Sequence, residues 1–298
     1  MGPKPQITPT ETGAMNERWQ PTEATLPAIG LHYLEAGCGH PVVLLHGWAA
    51  FKEIWWGTLR ALEPRYRGIA LEWPGHGRTP AAEGIRLLND LASLAEQSCA
   101  ALGLAEITVV GHSMGGRVAA ALALRRPDLV RRLVLVDAAL DPAHIAFYGR
   151  SMLKFNAVQR SVVISQRLGR GLGRWLTPAP HDHSGGLIRP YLRRAYYNGL
   201  ADPQMLHSYM TALYAESLDA RLPEIRQPTL VISGERDPLV LPRQARRAAE
   251  QIPNAELAII PRAQHTPMDD RPAAFHRVLL DFLDRRPPAG AAEDAADG

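Results

Sequence analysis

The chain has 298 residues, 46% of them hydrophobic and 21% charged, with 25 Gly and 25 Pro. These proportions belong to globular proteins and exclude disordered, collagen-like and coiled-coil classes, and no apolar run is long enough to span a membrane. Formal charge is +3, and Lys4, Lys52 and Lys154 are the only lysines among 33 basic residues. The pI near 9.0 therefore reflects permanently charged Arg, and with no basic stripe interleaved with aromatics no nucleic-acid partner is expected.

Residues 1–24 are polar and Pro-bearing and read as a disordered arm. They lack the apolar stretch of a signal peptide, which makes the cytoplasm the expected compartment. Residues 31–35 alternate in polarity and predict an outer antiparallel strand. Short runs apolar on both faces follow at 42–45, 68–71, 107–110, 133–136, 230–232 and 257–260. Such runs are parallel strands covered by helices on both sides. Helical periodicity fills the gaps at 87–102, 114–125, 243–251 and 271–284. The alternation predicts an α/β fold, a doubly wound and mostly parallel sheet whose ligands bind at the carboxyl ends of the strands.

The rhythm breaks once. Residues 139–222 show no obvious strand and carry many aromatics, among them Phe147, Trp175, Tyr196 and Tyr209, together with an Arg-rich set that includes Arg150, Arg170 and Arg194. They read as a mostly helical insertion dividing one core, 25–138 and 223–286. The tail 287–298 is small, acidic and breaker-rich and reads as disordered. Cys38 and Cys99 have no metal-type spacing and imply no disulfide framework. His181, Asp182 and His183 are adjacent and point different ways, so they read as a loop. No metal or cofactor is expected.

The chemistry concentrates in the stretch Gly111-His-Ser-Met-Gly-Gly, which ends one predicted strand and opens a helix. G-x-S-x-G in that setting places Ser113 on a tight strand-to-helix turn, its hydroxyl clear of the sheet and near a helix N-terminus. A serine needs a base, and the base needs an orienting acid. Ser-Gly-Glu-Arg-Asp-Pro puts Asp237 in the loop after one strand, and Pro-Arg-Ala-Gln-His puts His265 in the loop after the next. Of 11 histidines, only His265 falls between the last predicted strand and the final helix. Asp137, ending the strand at 133–136, stays open as an alternative acid. Glu235 reads as a loop-stabilising partner. An oxyanion hole needs two fixed N–H donors; the backbone amides of Met114 and of Trp48, in His46-Gly47-Trp48, are the candidates. His46 itself reads as a loop brace more readily than as a second base.

These elements together, His46-Gly47-Trp48, Trp73-Pro-Gly-His-Gly-Arg, the Ser113 motif, Gly234-Glu-Arg-Asp-Pro and His265, resemble the α/β-hydrolase fold superfamily from about residue 31 to 283. The resemblance implies a Ser113–Asp237–His265 triad and a lid over the site at 139–222. Two positions depart from it. Glu72 stands where many relatives carry Asp, and Thr266 follows the histidine where carbon–carbon bond hydrolases usually have Trp. A Ser nucleophile also separates the chain from the dehalogenases and epoxide hydrolases of this fold, which use Asp. The expectation is a serine esterase acting on a small-molecule ester, thioester or other acyl substrate. Acyl transfer, carbon–carbon bond hydrolysis, perhydrolysis, a lyase or cyclisation step, and a catalytically idle receptor stand as alternatives. The Arg-rich insertion leaves an acidic carrier protein open as a partner, and homo-oligomerisation is equally open.

Overall fold

The computed structural model describes residues 19–85, 87–145 and 200–285. Eight strands form one sheet: β1 (Thr22–Leu26), β2 (Leu31–Ala36), β3 (His40–Leu45), β4 (Tyr66–Leu71), β5 (Ile107–His112), β6 (Val130–Val136), β7 (Thr229–Gly234) and β8 (Ala255–Ile260). Their spatial order is β1-β2-β4-β3-β5-β6-β7-β8. From β4 to β8 every pairing is parallel, whereas β2 runs antiparallel to both β1 and β4. The helices are α1 (Trp56–Leu62), α2 (Leu88–Ala101), α3 (Met114–Arg125), α4 (Pro203–Ala215), α5 (Pro242–Gln251), the short α6 (Pro267–Asp270) and α7 (Pro272–Asp284).

The strands are apolar throughout because alternate side chains enter two different cores. Val43, Leu45, Ile69, Leu71, Val109, Leu133 and Leu135 join one cluster, which Leu91 of α2, Val118 and Leu122 of α3 and Ala248 of α5 close off. Val42, Leu44, Ala70, Val110, Val134 and Val136 point the other way, onto Leu59 of α1 and Phe275 and Leu279 of α7. A period of two on a doubly covered sheet leaves no face for polar residues. Removing the fully buried Phe275 ring would cost about 3–5 kcal/mol.

Two boundaries differ from those read in the sequence. The disordered arm expected at 1–24 is too long, because β1 starts at Thr22 and pairs along its length with β2. Its sequence, TEATL, has three exposed or charged positions and no apolar run, since an edge strand needs only one buried flank. Consequently β2 is antiparallel as expected, but it is not outermost. Within 139–222, the described residues include the helix α4. The remainder of that insertion, 146–199, lies outside the described residues, with most of its aromatics and arginines and the His181–His183 cluster, as do residues 1–18 and the tail.

The order β4-β3-β5 means that the chain leaves β3 in one direction and returns on its other side. This is the switch point at which adjacent loops diverge and open a crevice at the strand ends. The loop after β3 carries His46, Gly47 and Trp48, and the turn after β5 carries Ser113.

Candidate active site

Ser113 joins β5 to α3 with φ 55° and ψ −116°. Non-Gly residues rarely hold such angles, and here the neighbours impose them. Its N–H donates to Val136 O (2.9 Å), and its carbonyl accepts from Gly116 N, Arg117 N and Ala139 N. The turn is tight because α3 starts against the end of β3. A Cβ on Gly115 would lie 2.3 Å from Leu45 O, a clash that backbone cannot relieve. Gly111 is equally constrained, since a Cβ there would lie 2.2 Å from Gly115 O.

Asp237 and His265 come from the loops after β7 and β8. His265 Nδ1 lies 2.7 Å from Asp237 Oδ2, and the other oxygen of Asp237 accepts from Leu239 N (2.7 Å) and Val240 N (3.1 Å). Burial works against charge on Asp237, but the hydrogen bond and charge of His265 and the two amides outweigh it, holding this carboxyl below the usual carboxylate range. The loop bearing His265 is tied to the elbow by His112, the residue before Ser113. His112 Nε2 is 2.7 Å from the carbonyl of His265, and the two rings pack with centroids 4.8 Å apart. The structure thus brings His265, Asp237 and the Ser113 turn together. Asp137 lies in the same group but does not take the His265 bond. Its Oδ1 accepts from Ser233 Oγ and Gly234 N, both at 2.9 Å. Glu235 accepts from Arg262 N, in keeping with a loop-stabilising role. Asp137, Asp237 and His265 are also the one group of metal-type donors within 4.8 Å of each other among the described residues. The Nδ1–Asp237 bond and the contacts of Asp137 already commit several of those donor atoms.

The opposite side of the elbow is built by the loops after β3 and β4. Gly47 approaches so closely that a Cβ there would sit 3.0 Å from Ser113 Cβ. His46 Nδ1 bonds the Gly47 carbonyl (2.9 Å), and its Nε2 accepts from Trp73 N (3.1 Å), while Trp73 Nε1 donates to His46 O (2.9 Å). With Nε2 an acceptor and Nδ1 a donor, the ring is a neutral brace, and burial with the neighbouring His76 keeps its pKa well below the ordinary value. His76 is itself pushed down to about 4 by burial.

Several contacts here have no counterpart in the sequence reading. Trp48 was singled out for its backbone amide, and its indole Nε1 also donates to Leu206 O of α4 (2.7 Å). Tyr209 of α4 donates to Pro74 O (2.8 Å) and stacks on His76. Lys52, 1% exposed, sits among Glu72, Glu53 and Glu23 at 2.7, 3.1 and 3.2 Å. Burial pushes the Lys52 ammonium down, and the three carboxylates more than restore it. Glu72 Oε2 then accepts from Arg78 N, Thr79 N and Thr79 Oγ1, so the larger carboxylate at the departure from the relatives' Asp holds the whole Trp73–Thr79 turn. Arg117 of α3 is buried and donates to Ala139 O, Leu213 O and Glu216 O. Only the alternative acid, Asp137, was legible beforehand. Apart from Lys52–Glu53 and the Glu72 bonds to Arg78 and Thr79, these contacts depend on partners 20 to 158 residues apart.

A strand–Ser–helix elbow at a switch point, with a carboxylate–imidazole pair tied to it through His112, is the arrangement of the hydrolytic α/β class. The family model for the alpha/beta hydrolase fold matches residues 40–272, and the chain belongs to that family and is a hydrolase of that fold. Among curated relatives, a pimeloyl-[acyl-carrier protein] methyl ester esterase of Nitrosospira multiformis is 28% identical over 264 residues, covering 85% of this chain and 98% of its own. A protein named as a carbamate hydrolase, RutD, of Variovorax paradoxus is 32% identical over 262 residues, covering 86% and 96%. The solved esterase of Exiguobacterium antarcticum superposes with a TM-score of 0.71 at 24% identity, covering 86% of this chain and 96% of its own. No helix among the described residues is long and apolar enough to cross a membrane.

Proposed function

We propose that this protein is a serine hydrolase that cleaves a small carboxylic ester or thioester through an acyl-enzyme on Ser113. The observation that carries the reading is the 2.7 Å Asp237–His265 bond, held against the elbow by His112. Ser113 Oγ attacks the acyl carbonyl as His265 Nε2 accepts its proton, and Asp237 holds the ring with Nδ1 protonated. The carbonyl oxygen becomes an oxyanion facing the backbone N–H groups of Trp48 and Met114. Collapse expels the alcohol or thiol, which takes the proton from His265. Water then attacks the acyl-enzyme with His265 again as base, releasing the acid and restoring Ser113.

The relatives support acyl chemistry in general, since a methyl ester and a carbamate both present a carbonyl bearing a heteroatom leaving group. The carrier-protein ester in one relative's name keeps an acidic carrier as a proposed partner. The insertion 139–222 is proposed as the lid. Its two described ends, Ala139 and Leu213–Glu216, are gathered by the single Arg117 guanidinium on the helix that Ser113 starts. A fluorophosphonate probe read by mass spectrometry tests the nucleophile. Labelling of Ser113, absent in Ser113→Ala, is expected together with turnover of short p-nitrophenyl esters. Ester turnover undiminished in folded Ser113→Ala would overturn the mechanism.

A further inference from the structure

Asp137 starts the loop after β6 with φ 42°, a left-handed backbone that a non-Gly residue keeps only when its surroundings impose it. Its N–H donates to Ile232 O, and its Oδ1 accepts two hydrogen bonds, from Ser233 Oγ and Gly234 N. The residue is 1% exposed. Its second oxygen, Oδ2, meets no N–H or hydroxyl donor among the described residues. The neighbour of this carboxyl is another carboxyl. A carboxylate oxygen of Asp137, one of Asp237 and a ring nitrogen of His265 all lie within 4.8 Å of one another.

Two carboxyls this close and this dry do not both ionise. Asp237 has the environment of an anion, with two amides on one oxygen and the imidazole on the other. Asp137 has both its donors on one oxygen and none on the other. That is the pattern of a carboxylic acid, whose C=O accepts and whose O–H must donate. Burial, with the Asp237 charge added, drives the Asp137 carboxyl well above the usual range. The titratable groups facing it are Asp237 from the loop after β7 and His265 from the loop after β8. β7 supplies only the neutral Ser233 hydroxyl and Gly234 N–H, and α3 sends Arg117 to the Ala139 carbonyl two residues on.

We propose that Asp137 is a positioning residue kept as a neutral acid, whose Oδ2–H donates to the Asp237 carboxylate and so fixes the anion that orients His265. The proposal rests on the reading of Asp237 and His265 as orienting acid and base for Ser113. It differs from the alternative in which Asp137 is itself the orienting anion.

Asp137→Asn is the test, because an amide mimics a neutral acid: its oxygen accepts from Ser233 and Gly234, and its NH2 donates to Asp237. If Asp137 is neutral, the acid limb of kcat/KM against pH moves by less than about 0.3 pH unit in Asp137→Asn. If it is an anion within 4.8 Å of the ring, removing its charge moves that limb down by about 2 pH units, and the proposal fails. Asp137→Ala, with no donor left, is expected to lower kcat by about tenfold or more relative to Asp137→Asn. Parity of the two overturns the positioning role. Infrared difference spectroscopy at neutral pH separates this inference from the function it rests on, since it needs no turnover. A protonated-carboxyl C=O band present in the wild type and absent from Asp137→Asn supports the neutral acid whatever the enzyme hydrolyses, and a wild type without that band overturns it.

Discussion

Lys52→Met probes the ion cluster beneath the loops after β3 and β4. The substitution keeps most of the apolar stem and removes one charge. In the wild type, Lys52 Nζ is 2.7 Å from Glu72 Oε1 and 3.1 Å from Glu53 Oε1, and both Lys52 and Glu72 are essentially inaccessible to water. Without the ammonium, Glu72 keeps its three donors at Oε2 but loses its counter-charge, while Glu53, whose Oε2 meets no donor among the described residues, loses its cation as well. Breaking a buried pair from one side costs about 3–5 kcal/mol. At about 2–4 °C per kcal/mol for a domain of this size, Tm should fall by roughly 6–20 °C.

The sign of the pH dependence is fixed as well. Burial raises the Glu53 carboxyl in the folded state even with Lys52 beside it. A raised carboxyl makes the folded state bind more protons, so its ionisation removes stability as pH rises from the ordinary Glu value through the raised one. Lys52→Met enlarges that effect, so its Tm deficit should shrink between about pH 7.5 and about pH 5.5. Lys52 itself, raised in the folded state, contributes stability that is lost only as pH climbs past the ordinary lysine range. Thermal melts followed by circular dichroism at about pH 7.5 and about pH 5.5 measure the deficit and its change with pH. The double variant Lys52→Met/Glu53→Gln, which removes one stranded carboxylate, should recover part of the loss. A deficit below about 3 °C near neutrality, or one that grows on acidification, would refute the account of a buried cluster that needs its cation.

Ser113→Ala and Asp137→Asn carry the expectations given above. Asp237→Asn should lower kcat on a p-nitrophenyl ester by about 10³- to 10⁴-fold, because the amide favours the wrong His265 tautomer. Its oxygen can still accept from Leu239 and Val240, so the thermal midpoint should stay close to that of the wild type, and a kcat loss under about tenfold would argue against the assigned acid. Arg117→Met leaves the Ala139, Leu213 and Glu216 carbonyls without their guanidinium donor, at about 1–3 kcal/mol for each group left buried and unsatisfied. Hydrogen exchange should accelerate at the Ala139 and Leu218 amides, and unchanged exchange there would show that the two ends of the insertion hold without the clamp.

The sequence made the sheet legible because each central strand is apolar on both faces, a pattern local to four or six residues. It placed Ser113, Asp237 and His265 on the loops after β5, β7 and β8 because strand ends, chain order and a Gly-bracketed turn are also local; their roles remain the proposal made above. β1 escaped notice because TEATL owes its strand state to β2, not to its own hydrophobicity. The Lys52 cluster escaped it because Glu23, Glu53 and Glu72 converge only after β1 and β4 are placed in the sheet. Trp48 is the sharpest case. Its motif points to the backbone amide, but nothing local reveals an indole that reaches Leu206.

Two clusters of buried ionisable side chains lie on opposite sides of one strand. β5 separates β3 and β4, whose loops carry His46, Trp48 and the Lys52–Glu72 pair, from β6, β7 and β8, whose loops carry Asp137, Asp237 and His265. Each half needs precise backbone in a place where the sheet has ended and its ladder no longer supplies partners. On the β3 side the solution is ionic, since Glu72 holds three donors from a turn on one oxygen and pairs the other with the Lys52 ammonium. On the β6 side a cation would compete with His265 for Asp237, and a second neutral acid can brace the same carboxylate without cancelling its charge. The difference follows from what each half must present to Ser113. In the proposed mechanism, one side offers neutral amide donors with a compensated ion pair behind them, while the other keeps a net negative charge behind an imidazole that becomes positive during the reaction.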